Sequence, residues 1–155
     1  MTLGDIIRPE NVVPELTARN RWEAIDELIS RLAQTGSVNP EHQEAIAAAV
    51  RKREKSMSTG IGFGVGIPHA STELIDQVVG ALGRSKNGID FDALDDQPVN
   101  LVLLFLVPQG KFQQHLHTLA KIAKKLHNKE FRQALEEAPD AQAMYEIIKA
   151  NADPS

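Results

Sequence analysis

The sequence predicts an α/β layered domain. Segments with helical periodicity alternate along the chain with strand-like segments, which is the pattern of a sheet packed against helices. The unbroken apolar run from Leu101 to Val107 is typical of a fully buried strand. With 155 residues, 42% hydrophobic and 25% charged, the chain is long enough for one domain with a real core. No repeat or linker divides it, so we predict a single domain over residues 1–155, with the last few residues disordered.

The first half of the chain is predicted to hold two helices. Asn20 is typical of a helix N-cap, and Gly36 ends the periodic segment that follows it. Asn39 followed by proline begins the second helix. The spacing that turns Val50 inward also places Arg53 on the inward face. A guanidinium there suits a phosphate or a carboxylate. The alternative is that it only stabilises the helix C-terminus.

Gly60 to Ile67 is predicted to be one strand, in which apolar residues alternate with four glycines. Glycine at every second position fits neither a dinucleotide-binding loop nor a P-loop, and close packing under a helix explains it better. Pro68 lacks an N–H donor and is expected to end the strand. His69 should therefore lie just past a strand end, where ligands commonly bind in α/β sheets. A loop histidine without a role is the alternative.

The second half is predicted to contain two more strands followed by helices. Gln77 to Gly83 resembles a strand, with a turn at Asn87-Gly88. The carboxylates between Asp90 and Asp96 are interpreted as solvated turn caps, because their spacing lacks the glycine and distal glutamate of a calcium loop. Pro108 closes the buried strand. Three helices are expected near residues 112–127, 129–137 and 140–151.

The five histidines are not equivalent, and His115-Leu116-His117 is the pair that most resembles a metal site. On a helix, residues two apart point about 200° from each other, so these two rings cannot share a metal ion. His115 falls inside the apolar arc of the helix and His117 outside it. A satisfied core histidine is the alternative role for His115. His42 and His127 are expected to be ordinary surface residues.

Composition excludes several classes of function. The formal net charge of −4 argues against a nucleic-acid binder. The absence of cysteine removes disulfides, thiolate metal sites and thiol catalysis. The start of the chain lacks a secretory signal, and the longest apolar run is far shorter than the ~20 residues that a membrane helix needs. A cytoplasmic protein without membrane insertion is therefore expected.

Several motifs, in the right order and over nearly the whole chain, resemble one family. It is the enzyme IIA class of the phosphotransferase system (PTS) that includes the fructose, mannitol and nitrogen-regulatory proteins. The motifs are Arg53-Glu54, Ser58 to Gly62, Ile67-Pro68-His69, Ile89 to Asp92, Val107-Pro108 and His115 to Leu119. The last of these looks most like the nitrogen-regulatory branch. The resemblance implies a three-layer α/β/α sandwich with a mixed central β-sheet.

The resemblance also implies a phosphocarrier that needs no metal and no organic cofactor. The family's phosphorylated histidine falls on His69, its phosphate-binding arginine on Arg53 and its second active-site histidine on His115. The implied donor is an HPr-like phosphocarrier protein, and the acceptor or target is a IIB component or a regulatory protein. The sequence departs from the family pattern at Ala70 and Gly66, where glycine and alanine are usual. Both are exchanges between small residues, and we expect them to affect partner approach more than phosphorylation.

The implied function has alternatives. One is a sugar-uptake IIA protein that feeds a separate fructose- or mannitol-type IIB–IIC permease. Another is a regulator that binds its target according to its phosphorylation state, without onward transfer. A non-phosphorylated binding domain, related to the cytoplasmic regions of anion transporters, is disfavoured by the intact set of Arg53, His69 and His115.

Overall fold

A six-stranded mixed sheet forms the middle layer of the structure, a computed structural model that describes residues 3–150. The strands are β1 (Ile7–Val13), β2 (Gly60–Gly62), β3 (Val65–Gly66), β4 (His69–Thr72), β5 (Val79–Ile89) and β6 (Val99–Pro108). Their order is β1-β5-β6-β3-β2. Strand β4 pairs with the same edge of β6 as β3 does, farther along that strand. Strand β1 is parallel to β5, β3 and β4 are parallel to β6, and the β5–β6 and β2–β3 pairs are antiparallel. The predicted disorder of the last few residues concerns positions outside the described range.

Helices cover both faces of this sheet. They are α1 (Leu3–Ile6), α2 (Arg21–Gln34), α3 (Gln43–Ser56), α4 (Phe112–Leu126), α5 (Lys129–Glu137) and α6 (Ala141–Ala150), and a 3-10 turn (Pro40–His42) leads into α3. Asn20 caps α2 by accepting a hydrogen bond from the Glu23 N–H, as predicted. The apolar residues of α2 and α3 pack on one face, and those of α1, α4, α5 and α6 pack on the other. The three-layer α/β/α sandwich and the predicted helices are confirmed.

Strand β6 lies at the centre of both cores. Its even-numbered residues, such as Val102 and Leu104, face α2 and α3, whereas odd-numbered residues such as Leu103 and Phe105 face the other helices. All of its residues from Leu101 to Val107 are buried. The continuous apolar run of the sequence therefore reflects burial on two faces, as predicted.

The prediction of one strand over residues 60–67 is wrong, because the segment folds back as a hairpin. Strands β2 and β3 are joined by Phe63-Gly64, and both turn residues have positive φ, 58° and 79°. Phe63, one of the apolar residues of this segment, is 61% exposed. The alternation of apolar residues and glycines continues unchanged through a two-residue turn. The alternation alone therefore could not distinguish one long strand from two short strands joined by a turn. Two of the four glycines, Gly60 and Gly66, are closely packed, but against the segment Phe91–Ala93 and not against a helix.

Pro68 does not end the strand path, so His69 begins a strand instead of following one. Strand β3 pairs with Leu101 and Val102 of β6, and β4 resumes along the same strand with His69 opposite Phe105. Between them the Pro68 carbonyl accepts a hydrogen bond from the Phe105 N–H at 3.0 Å. Proline lacks the N–H donor but keeps its carbonyl acceptor. One hydrogen bond from β6 is therefore enough for the chain to continue alongside this strand.

Strand β5 is longer than predicted and passes through the expected turn. Asn87-Gly88 lies within it, at a register irregularity between Arg84 and Ile89, with Gly88 at φ 84°. This is a bulge in a continuing strand, which a turn-forming dipeptide also accommodates. In the loop that follows, Asp90 and Asp95 accept backbone N–H groups two residues ahead, which confirms their role as turn caps.

We predict that Gly66→Ala destabilises the protein by about 1–3 kcal/mol through overpacking. A Cβ at this position would lie 2.8 Å from the Phe91 ring, which is fully buried. This departure from the family pattern therefore concerns core packing and not the approach of a partner. Urea denaturation of the single variants and of Gly66→Ala combined with Phe91→Leu measures the coupling. The alanine should cost less in the Phe91→Leu background, and an equal cost in both backgrounds would contradict the packing argument.

Candidate functional site

A surface cavity of about 530 Å³ lies where the end of α3, the start of β4 and the first turn of α4 meet. It is lined by Ala49, Lys52, Arg53, Ser56, His69, Ala70, Ser71 and Phe112. Two of the predicted site residues, Arg53 and His69, therefore share one cavity. They come from different layers: the arginine from a helix that covers the sheet, and the histidine from the sheet itself.

The ring of His69 is held by a hydrogen bond and by a stacking contact. Its Nδ1 lies 2.8 Å from the carbonyl oxygen of Ile67, and its ring is nearly parallel to that of Phe112, with centroids 6.2 Å apart. A carbonyl oxygen can only accept, so Nδ1 carries the proton. The lone pair of the neutral ring is then on Nε2, which is the nitrogen available for nucleophilic attack.

The environment of His69 also favours its neutral form. Burial lowers the pKa of the ring below its ordinary value, and the charge of Arg53 lowers this pKa further. The Ile67 carbonyl, which acts more strongly than Arg53, and the carboxylate of Glu54 oppose this change. Because the ordinary pKa of histidine is about 6.5, a lowered value leaves the ring mostly uncharged at neutral pH. The site thus holds a neutral imidazole whose Nε2 lone pair is free without the help of a neighbouring base.

Arg53 lies in the last turn of α3, where it takes part in capping the helix and also presents N–H groups to the cavity. Its Nη1 donates to the carbonyl of Met57 at 3.1 Å, and the Ser56 hydroxyl donates to the Arg53 carbonyl at 2.7 Å. Both bonds satisfy carbonyl groups at the helix C-terminus, so the capping role is present. The other N–H groups of the guanidinium have no partner among residues 3–150 and stay available to an anion in the cavity.

The helical wheel placed His115 inward and His117 outward, and the structure confirms this difference in burial. His115 is half-buried, and its Nδ1 is inaccessible and lacks a hydrogen-bond partner in the described part of the chain. His117 is exposed. His115 follows Phe112 by three residues and is its neighbour on the surface of α4. It is not part of the cavity wall, so the structure brings two of the three predicted residues together and places the third one helical turn away.

Glu54 is the principal residue that the motif analysis did not interpret. Its side chain is buried, and it accepts hydrogen bonds from the N–H and the hydroxyl of Thr59. It also pairs with Arg21, whose Nη1 lies 3.2 Å from Oε2. These contacts tie the end of α3 to the segment that leads to the hairpin and His69. A signal was available, since Glu54 directly follows Arg53 in the first motif of the family resemblance.

The expectation for His42 is corrected by the structure. It was expected at the surface but is half-buried, with an inaccessible Nδ1 that has no partner in the described residues. Two charged residues of the helix that follows, α3, have different surroundings. Arg51 pairs with Glu44 on its own helix and with Asp26 on α2, and Lys52 is exposed and lines the cavity.

Within residues 3–150, no group of three or more histidine and carboxylate side chains is placed to hold a metal ion. A membrane-spanning helix is also absent from that range, because every helix there is too short or too polar to cross a bilayer.

Comparison with known proteins identifies relatives over almost the whole chain. A family model described as "Phosphoenolpyruvate-dependent sugar phosphotransferase system, EIIA 2" matches residues 5–151. A "Nitrogen regulatory protein" of Bradyrhizobium diazoefficiens is 34% identical over 148 residues, which are 96% of this chain and 95% of the relative. A "PTS system fructose-specific EIIA component" of Haloferax volcanii is 36% identical over 81% of this chain and 80% of its own. The crystal structure of the nitrogen regulatory protein IIA-Ntr from Neisseria meningitidis superposes with a TM-score of 0.84 and 29% identity, covering 94% of this chain and 98% of that one.

We predict that Glu54→Gln lowers the free energy of unfolding by about 3 kcal/mol, because it leaves the charge of Arg21 unpaired in a mostly buried place. The matched control is Glu44→Gln, which removes a pair between Arg51 and a carboxylate that is 84% exposed. An exposed pair contributes less than ~1 kcal/mol. Urea denaturation measures both variants, and similar small losses would contradict the assigned importance of Glu54.

We predict that the ring of His69 titrates with a midpoint below about 6.5 in an NMR pH titration. The folded protein then binds fewer protons here than the unfolded chain, so its free energy of unfolding decreases as the pH falls below ~6.5. His69→Asn should remove this part of the pH dependence. Arg53→Gln should raise the midpoint by removing a nearby positive charge. A midpoint at or above the ordinary value would contradict the burial argument.

Proposed function

The chain belongs to the EIIA 2 family of the phosphoenolpyruvate-dependent sugar phosphotransferase system, and from this premise we propose that His69 is its phosphorylated residue. The phosphoryl group comes from an HPr-like phosphocarrier protein and is passed on or held as a regulatory signal. The observation that carries this proposal is the hydrogen bond from His69 Nδ1 to the Ile67 carbonyl. This bond keeps the proton on Nδ1, so that the lone pair of Nε2 is free to act as the nucleophile. Arg53 lines the same cavity.

The transfer is a displacement at phosphorus. The lone pair of Nε2 forms a new N–P bond while the N–P bond of the donor breaks, and the donor imidazole leaves with that electron pair. The ring of His69 keeps its proton on Nδ1 and becomes a phosphorylated imidazolium, whose positive charge the Ile67 carbonyl stabilises. Onward transfer is the reverse event: the N–P bond breaks, its electron pair returns to Nε2, and the ring becomes neutral again.

Positioning and charge stabilisation are the main tasks of the protein in such a step. The site lies at the C-terminus of α3, where the helix dipole is unfavourable for an anion. Arg53 offsets this effect and would bind the equatorial oxygens through its free N–H groups. The stack of Phe112 on His69 holds the imidazole plane, so that Nε2 keeps one orientation during attack.

His115 is proposed as the second active-site histidine, acting by a hydrogen bond to the phosphoryl group. Its Nδ1 has no partner among residues 3–150 and lies one helical turn behind Phe112. A small movement at the start of α4 would bring the ring toward the cavity. The anion would supply the partner that this buried nitrogen lacks in the free protein.

We favour the nitrogen-regulatory type, since that relative matches this chain almost end to end. A sugar-uptake component is the second candidate, because the fructose-specific relative has a similar identity. A cytoplasmic location and one domain over residues 1–155 belong to the same proposal. Transfer of label from the phosphorylated protein to a fructose- or mannitol-type IIB component would favour sugar uptake, and retention of the label would favour regulation.

We predict that incubation with phosphoenolpyruvate, enzyme I and an HPr-like donor adds one acid-labile phosphoryl group, on Nε2 of His69. His69→Ala should remove all label. Arg53→Lys keeps the charge but loses the planar fork, so its initial rate should fall on the order of tenfold to hundredfold. His115→Ala should also slow labelling. Phosphorus and nitrogen NMR identifies the modified ring atom.

The control for His115→Ala is His117→Ala, an exposed histidine two residues along the same helix. It should be labelled at the wild-type rate. Label that persists in His69→Ala, or no label on the wild-type protein, would overturn the proposal.

A further inference from the structure

The hairpin between β2 and β3 carries a residue that its turn does not favour. Gly62, Phe63 and Gly64 all have positive φ, 95°, 58° and 79°, a backbone conformation that glycine and asparagine adopt more readily than phenylalanine. A bulky side chain at positive φ costs on the order of 1–3 kcal/mol. The ring does not repay this cost by burial, because Phe63 is 61% exposed. Asparagine would adopt this backbone conformation at a lower energetic cost. The turn itself therefore does not explain why phenylalanine is present here.

Contacts from two other elements hold the exposed ring of Phe63 in place. The ring of His127, at the end of α4, meets it edge-on with centroids 5.2 Å apart. The guanidinium of Arg132, on α5, lies over it at 5.0 Å and donates to the carbonyl of Leu126 at 3.0 Å. Asp95 accepts the Phe63 N–H at 3.1 Å. The ring is therefore presented to solvent in a defined orientation, with a cation beside it.

The ring of Phe63 is bordered by basic residues on the side of α4 and α5, and its hairpin packs against the acidic loop Asp90–Asp96 on the other side. From residue 121 to 132 the chain has five lysines and arginines and one acidic residue, Glu130, although its net charge is −4. Lys124 and Lys129 lie three residues before His127 and Arg132, so they are their neighbours on the helix surfaces. Neither lysine pairs with a carboxylate in the part of the chain that the structure describes. The carboxylate next to the ring, Asp95, is occupied by two backbone N–H groups.

We propose that Phe63, Lys124, His127, Lys129 and Arg132 form a docking surface, called here the Phe63 surface, for an acidic segment of a partner protein. The partner places an apolar side chain against the Phe63 ring and its carboxylates against the cations. Exposed aromatic rings beside arginine are typical of the centre of protein interfaces. A nucleic acid or an anionic membrane is disfavoured, because each would also face the excess negative charge of the rest of the chain.

The Phe63 surface is separate from the cavity that contains His69. Helix α4 begins at Phe112, which stacks on His69, and ends beside His127, which contacts Phe63. Its 15 residues span about 22 Å. The proposal therefore does not depend on phosphoryl transfer, and a partner bound at the Phe63 surface would leave the cavity open to a phosphoryl donor.

The test uses the full chain and a synthetic 12-residue peptide of alternating aspartate and leucine as the probe. The peptide should shift the amide NMR signals of the Phe63 surface in a saturable way. The same peptide with serine in place of leucine should bind at least about tenfold more weakly, because it cannot cover the ring. Phe63→Asn should weaken binding by a similar factor while its melting temperature is unchanged or higher, since asparagine adopts positive φ more readily than phenylalanine. Met57→Asn, another exposed apolar position, lies on the other face of the sheet and should bind like the wild type.

Several results would overturn the proposal. They are unchanged binding by Phe63→Asn, equal binding of the serine peptide, and a large drop in the melting temperature of Phe63→Asn, which would make the ring structural. Stronger shifts of the same signals by heparin or by phosphatidylglycerol vesicles would favour a nucleic acid or a membrane instead. A wild-type dimer in analytical ultracentrifugation that Phe63→Asn dissociates would make a second copy of this chain the occupant.

Discussion

The buried carboxylate of Glu54 holds together the parts of the chain on which the site depends. A charged group without water must be fully paired, and Glu54 is paired with both donors of Thr59 and with the guanidinium of Arg21. The carboxylate follows Arg53 on α3, and Thr59 precedes the hairpin and His69. One interaction therefore sets the end of a helix against the start of a strand. The same end of α3 supplies Arg53 and Ser56 to the wall of the cavity.

The interrupted strand beside β6 explains the character of His69. Strands β3 and β4 are two parts of one path, and Ile67-Pro68 lies where the path breaks. At this place the Ile67 carbonyl accepts the Nδ1–H of His69, which fixes the proton on Nδ1 and leaves Nε2 free. The same strand places the ring deep enough for burial to lower its pKa. The neutral state of the ring and its free Nε2 thus follow from backbone geometry and burial, and the proposed nucleophilic role needs no catalytic base.

Charge is distributed unevenly over the molecule, and a group of basic residues lies near each end of α4. At the N-terminal end are Lys52 and Arg53, which α3 supplies around the cavity. At the C-terminal end is the Phe63 surface, where an exposed ring is kept at an unfavourable backbone angle. An acidic chain with two local basic regions can bind two anionic groups of different kinds without becoming a general polyanion binder.

The sequence by itself determined the features that depend on short-range periodicity. The helix caps, the two-sided burial of β6, and the inward and outward faces of His115 and His117 follow from spacings within one element. Helical spacing and the position after Pro68 also identified Arg53 and His69 as candidates, and the family resemblance added the roles that it implies for them. Their roles in phosphoryl transfer, and that of His115, remain predictions.

Only the tertiary structure decided where the chain reverses and what each charged group contacts. Alternation of period two is the same in one strand and in a hairpin, so the turn at Phe63-Gly64 was not predictable from it. The burial of Glu54 and the pairing of Arg51 depend on side chains from other helices. The proton position on His69 depends on the orientation of the Ile67 carbonyl, which the backbone angles of this segment set. Each is a contact between segments distant in sequence or a backbone angle imposed by packing, and neither is encoded in local spacing.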